Sequence, residues 1–180
     1  MRITYAVLPL LALGLAACGE SKDASETAAP ASEAATTAAS APAAVASVSA
    51  EEGAKIAKQR HDDFEAIGKA MKGVGDELKK SSPNVDTIKA NAAKIAEAAP
   101  KVKDWFPAGS GVEVAPKSEA LPAIWEKPAD FQKAHDKFAA EAVAFNTTAQ
   151  TGDLARIGDG MKALGGTCKG CHDEFRKKDD

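Results

Sequence analysis

From residue 51 onward, apolar side chains recur at steps of three and four. Ile56, Phe64, Ile67, Met71, Val74 and Leu78 fall with Arg60 on one stripe, which predicts a first helix. Ser81-Ser82-Pro83 stops it. A second stripe runs Val85, Ile88, Ala92, Ile95, Ala99 and Val102, with Pro100 placed to kink or close it. Residues 104–128 hold four prolines, Gly109, Gly111 and both tryptophans, which predicts a long irregular crossing segment. Pro128 suits the first turn of a third helix, with the stripe Phe131, His135, Phe138, Ala142 and Phe145. Gly152-Asp153 breaks and caps ahead of a fourth, carrying Leu154, Ile157, Met161, Leu164, Cys168, Cys171 and Phe175. Four amphipathic helices and no strand pattern predict an all-α, antiparallel, up-down-up-down four-helix bundle.

The N-terminal third follows different rules. Arg2 precedes an almost wholly apolar run from Ile3 to Ala17, too short to span a bilayer and shaped like a secretory segment. It ends in Leu15-Ala16-Ala17-Cys18, which resembles the lipobox of bacterial lipoproteins. That resemblance implies lipidation of Cys18 and a chain tethered to a membrane. An ordinary signal peptide cut near these alanines, with Cys18 incidental, is the other reading. Residues 19–50 contain 13 Ala, 6 Ser, 3 Thr and 2 Pro, with no Leu, Ile or aromatic residue. Such a stretch buries too little apolar surface to offset the entropy of ordering it, and is expected to be a disordered tether. The expected organisation is therefore a targeting segment over 1–18, a linker over 19–50 and one helical domain over 51–180.

Composition narrows the function. The 180 residues carry 23 Lys and Arg against 26 Asp and Glu, a net charge of −3, without the basic footprint that nucleic-acid binding wants. The 6 Phe, 2 Trp and 1 Tyr are a thin supply of bulk for a core, so a bound group filling the bundle centre is expected. Three cysteines cannot all pair in disulfides.

Two of those cysteines lie in Cys168-Lys169-Gly170-Cys171-His172, a C-x-x-C-H sequence of the kind that attaches c-type haem. Positions i, i+3 and i+4 share a helix face. Both thiols can therefore reach the two vinyl groups on one porphyrin edge while His172 reaches the iron as proximal ligand. Gly170 keeps bulk out of the way, and Gly165-Gly166 costs about 1 kcal/mol per glycine relative to alanine, which makes sense where something bulky approaches the helix. A thiol–disulfide site would want a βαβ pattern and a zinc site a second ligand pair; the sequence offers neither. No triad, paired-carboxylate site or phosphate loop argues for an enzyme. One covalent haem c per chain is expected, attached outside the bacterial cytoplasm.

With this motif near its C-terminus, the chain resembles the cytochrome c′ family. The likeness extends to Trp105-Phe106-Pro107-x-Gly109-Ser110, to Ser118-Glu119-Ala120-Leu121-Pro122-x-Ile124-Trp125 and to Cys168 through Arg176, and covers residues 52–178. It implies that Arg60 pairs with a haem propionate and that Phe64, one turn later, covers the distal face of the iron. A phenyl ring cannot ligate, so the resemblance implies five-coordinate, high-spin iron that binds nitric oxide and carbon monoxide and cycles by one electron. It also implies a basic residue, Arg176, near the proximal side. The alternative is a six-coordinate, low-spin electron carrier of the c-556 type, with Met71, Met161 or a histidine as sixth ligand. Core packing is the simpler role for both methionines and for His135, and His61 is expected to face away from the interior. The implied location is the periplasm, membrane-tethered through Cys18. The redox partner and any homodimer pairing through the first helices stay open.

Overall fold

The computed structural model describes residues 47–178. The expected signal, Cys18 and most of the expected linker lie outside the described residues. The described structure reaches slightly ahead of residue 51. Val48 donates its N–H to the Ala108 carbonyl at 3.0 Å, and Ser49 caps the first helix by accepting from the Glu52 N–H at 3.3 Å.

Four long helices follow, α1 (Ala50–Leu78), α2 (Val85–Ala98), α3 (Pro128–Thr151) and α4 (Leu154–Phe175). No described helix is long and apolar enough to cross a membrane. The breaks fall where local chemistry puts them. Asn84 caps α2 through the Thr87 N–H at 3.0 Å, and its own N–H is held by Glu77 Oε2 at 2.9 Å. Gly152 takes a left-handed φ of 76° that ends α3. Asp153 Oδ1 then accepts from the Ala155 and Arg156 N–H groups at 3.1 and 3.2 Å to start α4. Pro100 does not kink α2; the chain instead tightens into a 3-10 helix over Ala99–Trp105, because the proline has no N–H to continue the α pattern.

The buried faces follow the stripes best on α3, whereas on α1 Ile56, Phe64, Met71 and Leu78 are only partly buried and Gly53, Ala57, Ala70 and Glu77 share the buried face with Arg60, Ile67 and Val74. On α3, Phe131, His135, Phe138, Ala142 and Phe145 are all buried. Leu154 is 37% exposed, since it occupies the first turn of α4 outside the bundle. The main core joins Val74, Ile88, Ile95, Phe138, Phe145, Ile157 and Leu164 from all four helices. Consecutive helices pack along their lengths, whereas α4 and α1 touch sparsely. One of their contacts is at Gly75, where a Cβ would sit 3.1 Å from Met161 Cε.

A second, smaller core of Ala120, Ile124, Phe131 and Phe175 lies at the end holding the N-terminus of α1 and the C-terminus of α4. The crossing segment over 106–127 covers that end, with Trp125 on a short helical turn, Ala123–Glu126. It presses closely on α1, and a Cβ on Gly53 would lie only 2.0 Å from the Gly109 carbonyl oxygen. The Cys168–His172 motif, in the last turns of α4, therefore sits toward this end of the bundle.

His135 ties the two regions. Its ring is 5% exposed, and Nε2 donates to the Ala99 carbonyl at 3.1 Å, where α2 passes into the 3-10 helix. His135→Leu removes this buried hydrogen bond and should cost about 0.5–1.5 kcal/mol of stability, measured by urea unfolding of the haem-loaded chain.

Candidate haem site

The last turns of α4 carry Cys168, Cys171 and His172. Both thiols are free and half-buried. Cys168 packs on the main core and Cys171 on the smaller one. Burial pushes the Cys168 thiol up and the Cys171 thiol up to about 11, so both are protonated at neutral pH. A thiol–disulfide exchange site wants the opposite shift. No group of three or more His, Cys, Asp or Glu side chains among the described residues could hold a metal ion.

His172 is partly exposed. Partial burial, then the Arg176 charge, holds its imidazole below the ordinary value, which leaves a neutral ring with a nitrogen lone pair to offer. The helix surface beside these groups is clear. A Cβ on Gly165, Gly166 or Gly170 would meet no atom within 4 Å, and Gly165 lies on the same stripe as Cys168 and His172. Two thiols and an imidazole beside an uncrowded strip of helix fit a c-type haem.

α1 carries the next two residues that the resemblance assigns to the haem, Arg60 and Phe64. Arg60 is 4% exposed. One terminal nitrogen donates to the Trp105 carbonyl at 2.9 Å and Ser110 Oγ at 3.0 Å; the other donates to the Ser110 carbonyl at 2.8 Å and Ser118 Oγ at 3.2 Å. The guanidinium also lies 4.5 Å above the Phe106 ring. Burial lowers its pKa, and the nearest compensation is the charge of Glu113 at longer range. Among the described residues no carboxylate is in ion-pair contact with this buried cation. A charge so placed favours an anion close by, which fits a propionate-bearing group.

Phe64, one turn further along α1, is half-buried and meets Trp105 edge-on at 5.1 Å and Phe106 at 6.1 Å. The aromatic line continues through Phe106–Phe131 at 4.9 Å and Phe131–Phe175 at 5.4 Å, ending at the helix that bears the cysteines. Met71 and Met161 are partly buried and packed against the main core, as their stripes imply. His61 is exposed.

Arg176 caps α4, and its Nε donates to Glu119 Oε2 at 2.6 Å. Beside this pair, Leu121 donates to the Phe175 carbonyl and Lys177 to the Glu119 carbonyl, at 3.0 and 2.7 Å, forming a one-residue antiparallel bridge. This strap holds the turn below His172. Sequence reasoning assigned no role to Glu119, Ser110, Ser118 or Phe106, though all four stand in the quoted motifs. Their role is contact across the fold, and spacing along the chain carries no signal of it.

The Arg176 guanidinium holds the Glu119 carboxyl below the usual carboxylate range. A lowered folded-state pKa means the ionic part of the strap is present at neutral pH and lost as pH falls through that lowered value. Amide protection of Leu121 and Lys177 should be full above the ordinary carboxylate range and weaken as pH falls through that range to the lowered value. Hydrogen exchange should show weaker protection for Glu119→Gln at neutral pH, with the difference closing as the native carboxyl is protonated.

The chain matches the family described as Cytochrome C' over residues 55–176. It is 39% identical over 113 residues to cytochrome c' of Pararhodospirillum photometricum, covering 60% of this chain and 90% of that protein. The crystal structure of cytochrome c' from Rubrivivax gelatinosus superposes with a TM-score of 0.64 at 28% identity, covering 69% of this chain and 97% of that one. The nitric oxide complex of a point mutant of cytochrome c prime from Alcaligenes xylosoxidans shares the fold, with a TM-score of 0.62 at 24% identity, covering 74% and 100%. The bundle, the C-terminal C-x-x-C-H and the match across nearly the whole folded domain converge: the chain belongs to the cytochrome c′ family and carries haem c, attached through Cys168 and Cys171.

Proposed function

We propose that this protein is a gas-binding haem protein whose iron is held by His172 alone among its side chains. The observation that carries this reading is Phe64. The resemblance puts Phe64 at the α1 position that covers the distal face of the iron, and this residue is a half-buried phenyl ring with no lone pair to donate. Bound haem supplies iron that changes oxidation state by one electron and has a side free for a diatomic ligand. The chain's own residues set what can reach it. Cys168 and Cys171 anchor one porphyrin edge to α4. The neutral imidazole of His172 provides the proximal nitrogen, and Arg176 stands one turn beyond it. Phe64, backed by Trp105 and Phe106, makes the other side apolar and without a hydrogen-bond donor. Nitric oxide and carbon monoxide tolerate that surface; anionic ligands do not. Arg60 supplies a buried positive charge suited to a propionate.

The export signal agrees with this reading, since c-type haem is attached outside the bacterial cytoplasm. We place the domain on the periplasmic side of a membrane, held by lipid on Cys18, with a periplasmic redox partner and homodimer pairing as further parts of the proposal. Mass spectrometry of the mature chain should find an N-terminus at Cys18 carrying acyl mass; an unlipidated start further on would remove the anchor.

The optical spectrum of the ferric protein should be high-spin, and the ferrous protein should bind carbon monoxide and nitric oxide. Phe64→Met places a thioether at the same position and should convert the ferric spectrum to low-spin with a methionine–iron charge-transfer band. A low-spin spectrum in the unaltered protein would instead establish a six-coordinate electron carrier.

A further inference from the structure

We infer that Trp105 is a positioning residue that holds Phe64 over the gas site, and so sets how fast and how large a ligand can enter. The inference rests on the gas-binding reading above. Phe64 is half-buried and packs on the main core, so part of its ring is left open. Its aromatic contacts come from two consecutive residues. The Trp105 ring meets it edge-on at 5.1 Å with an interplanar angle of 87°, and Phe106 lies at 6.1 Å. For a ligand to approach along the face that Phe64 covers, the phenyl ring must swing, and the bulk in its way is the indole of Trp105.

Trp105 is held as a rigid stop. It ends the 3-10 helix that continues α2, and its carbonyl accepts from Arg60 Nη1 at 2.9 Å. The same guanidinium lies 4.5 Å over Phe106. Arg60 and Phe64 are one turn apart on α1. The residue that pins the backbone of the stop therefore belongs to the helix that carries the moving ring. Movement of α1 would carry both together, so the contact between Phe64 and Trp105 is kept while the bundle breathes. Removing the indole, by contrast, frees the ring while Cys168, Cys171 and His172 are left unaltered.

The test uses the haem-loaded full chain. Trp105→Leu should raise the association rate of carbon monoxide with the ferrous protein by about three- to tenfold, the scale of one lost aromatic pair. The ferric spectrum should stay high-spin. Ethyl isocyanide, a bulkier ligand, should gain more than carbon monoxide, and this change in ratio separates a gating role from general loosening. In a Phe64→Leu background the Trp105 effect should largely vanish. The two substitutions should also be non-additive in urea unfolding, by about three- to tenfold in the equilibrium constant, a readout independent of gas binding. If Trp105→Leu fails to take up haem, Trp105→Phe is read in the same way, with about a two- to threefold rate gain expected. Unchanged rates and an unchanged ligand ratio in a high-spin variant would overturn the role of Trp105 and leave the gas-binding reading standing. A low-spin spectrum in the unaltered protein would overturn both.

Discussion

The site depends on one buried cation. Arg60 is taken out of water on α1, and a guanidinium so placed must have its solvation shell rebuilt from protein oxygen atoms. Those atoms come from the crossing segment, as the carbonyls of Trp105 and Ser110 and the hydroxyls of Ser110 and Ser118. The acceptors are themselves fixed. Ser110 is fully buried and its hydroxyl donates to the Pro107 carbonyl at 2.8 Å, while Ser118 Oγ accepts from the Ala120 N–H at 3.3 Å. A segment with almost no regular secondary structure thereby acquires one conformation, and Gly53 admits the Gly109 carbonyl against α1 to complete the fit.

Everything near the haem motif is positioned from that anchor. The pinned segment places Trp105 and Phe106 against Phe64 and carries the aromatic line through Phe131 to Phe175. The same segment supplies Glu119 to the strap that holds the end of α4. The phenyl ring on α1 and the imidazole on α4 are thus tied to one loop rather than to each other, since α1 and α4 touch only sparsely. The closed core at the other end of the bundle, around Ile88, Phe145 and Ile157, supplies rigidity without occupying the site.

The helices were legible because burial imposes a period of 3.6 residues. Every predicted position on the α3 stripe is buried, and the breaks at Pro83 and Gly152 fall where backbone chemistry requires them. The C-x-x-C-H motif was legible for a related reason: its chemistry works through neighbours on one helix, so spacing alone encodes it. Pro100 was read correctly as an interruption but not as a 3-10 continuation. Whether a chain kinks, stops or tightens at proline depends on what packs beside it, here the His135 ring bonded to Ala99.

The sequence by itself determined the four amphipathic helices, the attachment motif and the absence of a ligating side chain at residue 64, because each is local in the chain or periodic along it. The tertiary structure decided the rest. It brought Arg60 to oxygens on residues 105, 110 and 118 and set Trp105 edge-on to Phe64. It paired Glu119 with Arg176. These contacts join residues 41 to 58 positions apart through an irregular segment with no period to read. Their partners are selected by the need to solvate a buried charge and to fill space, and both needs appear only once the helices have packed.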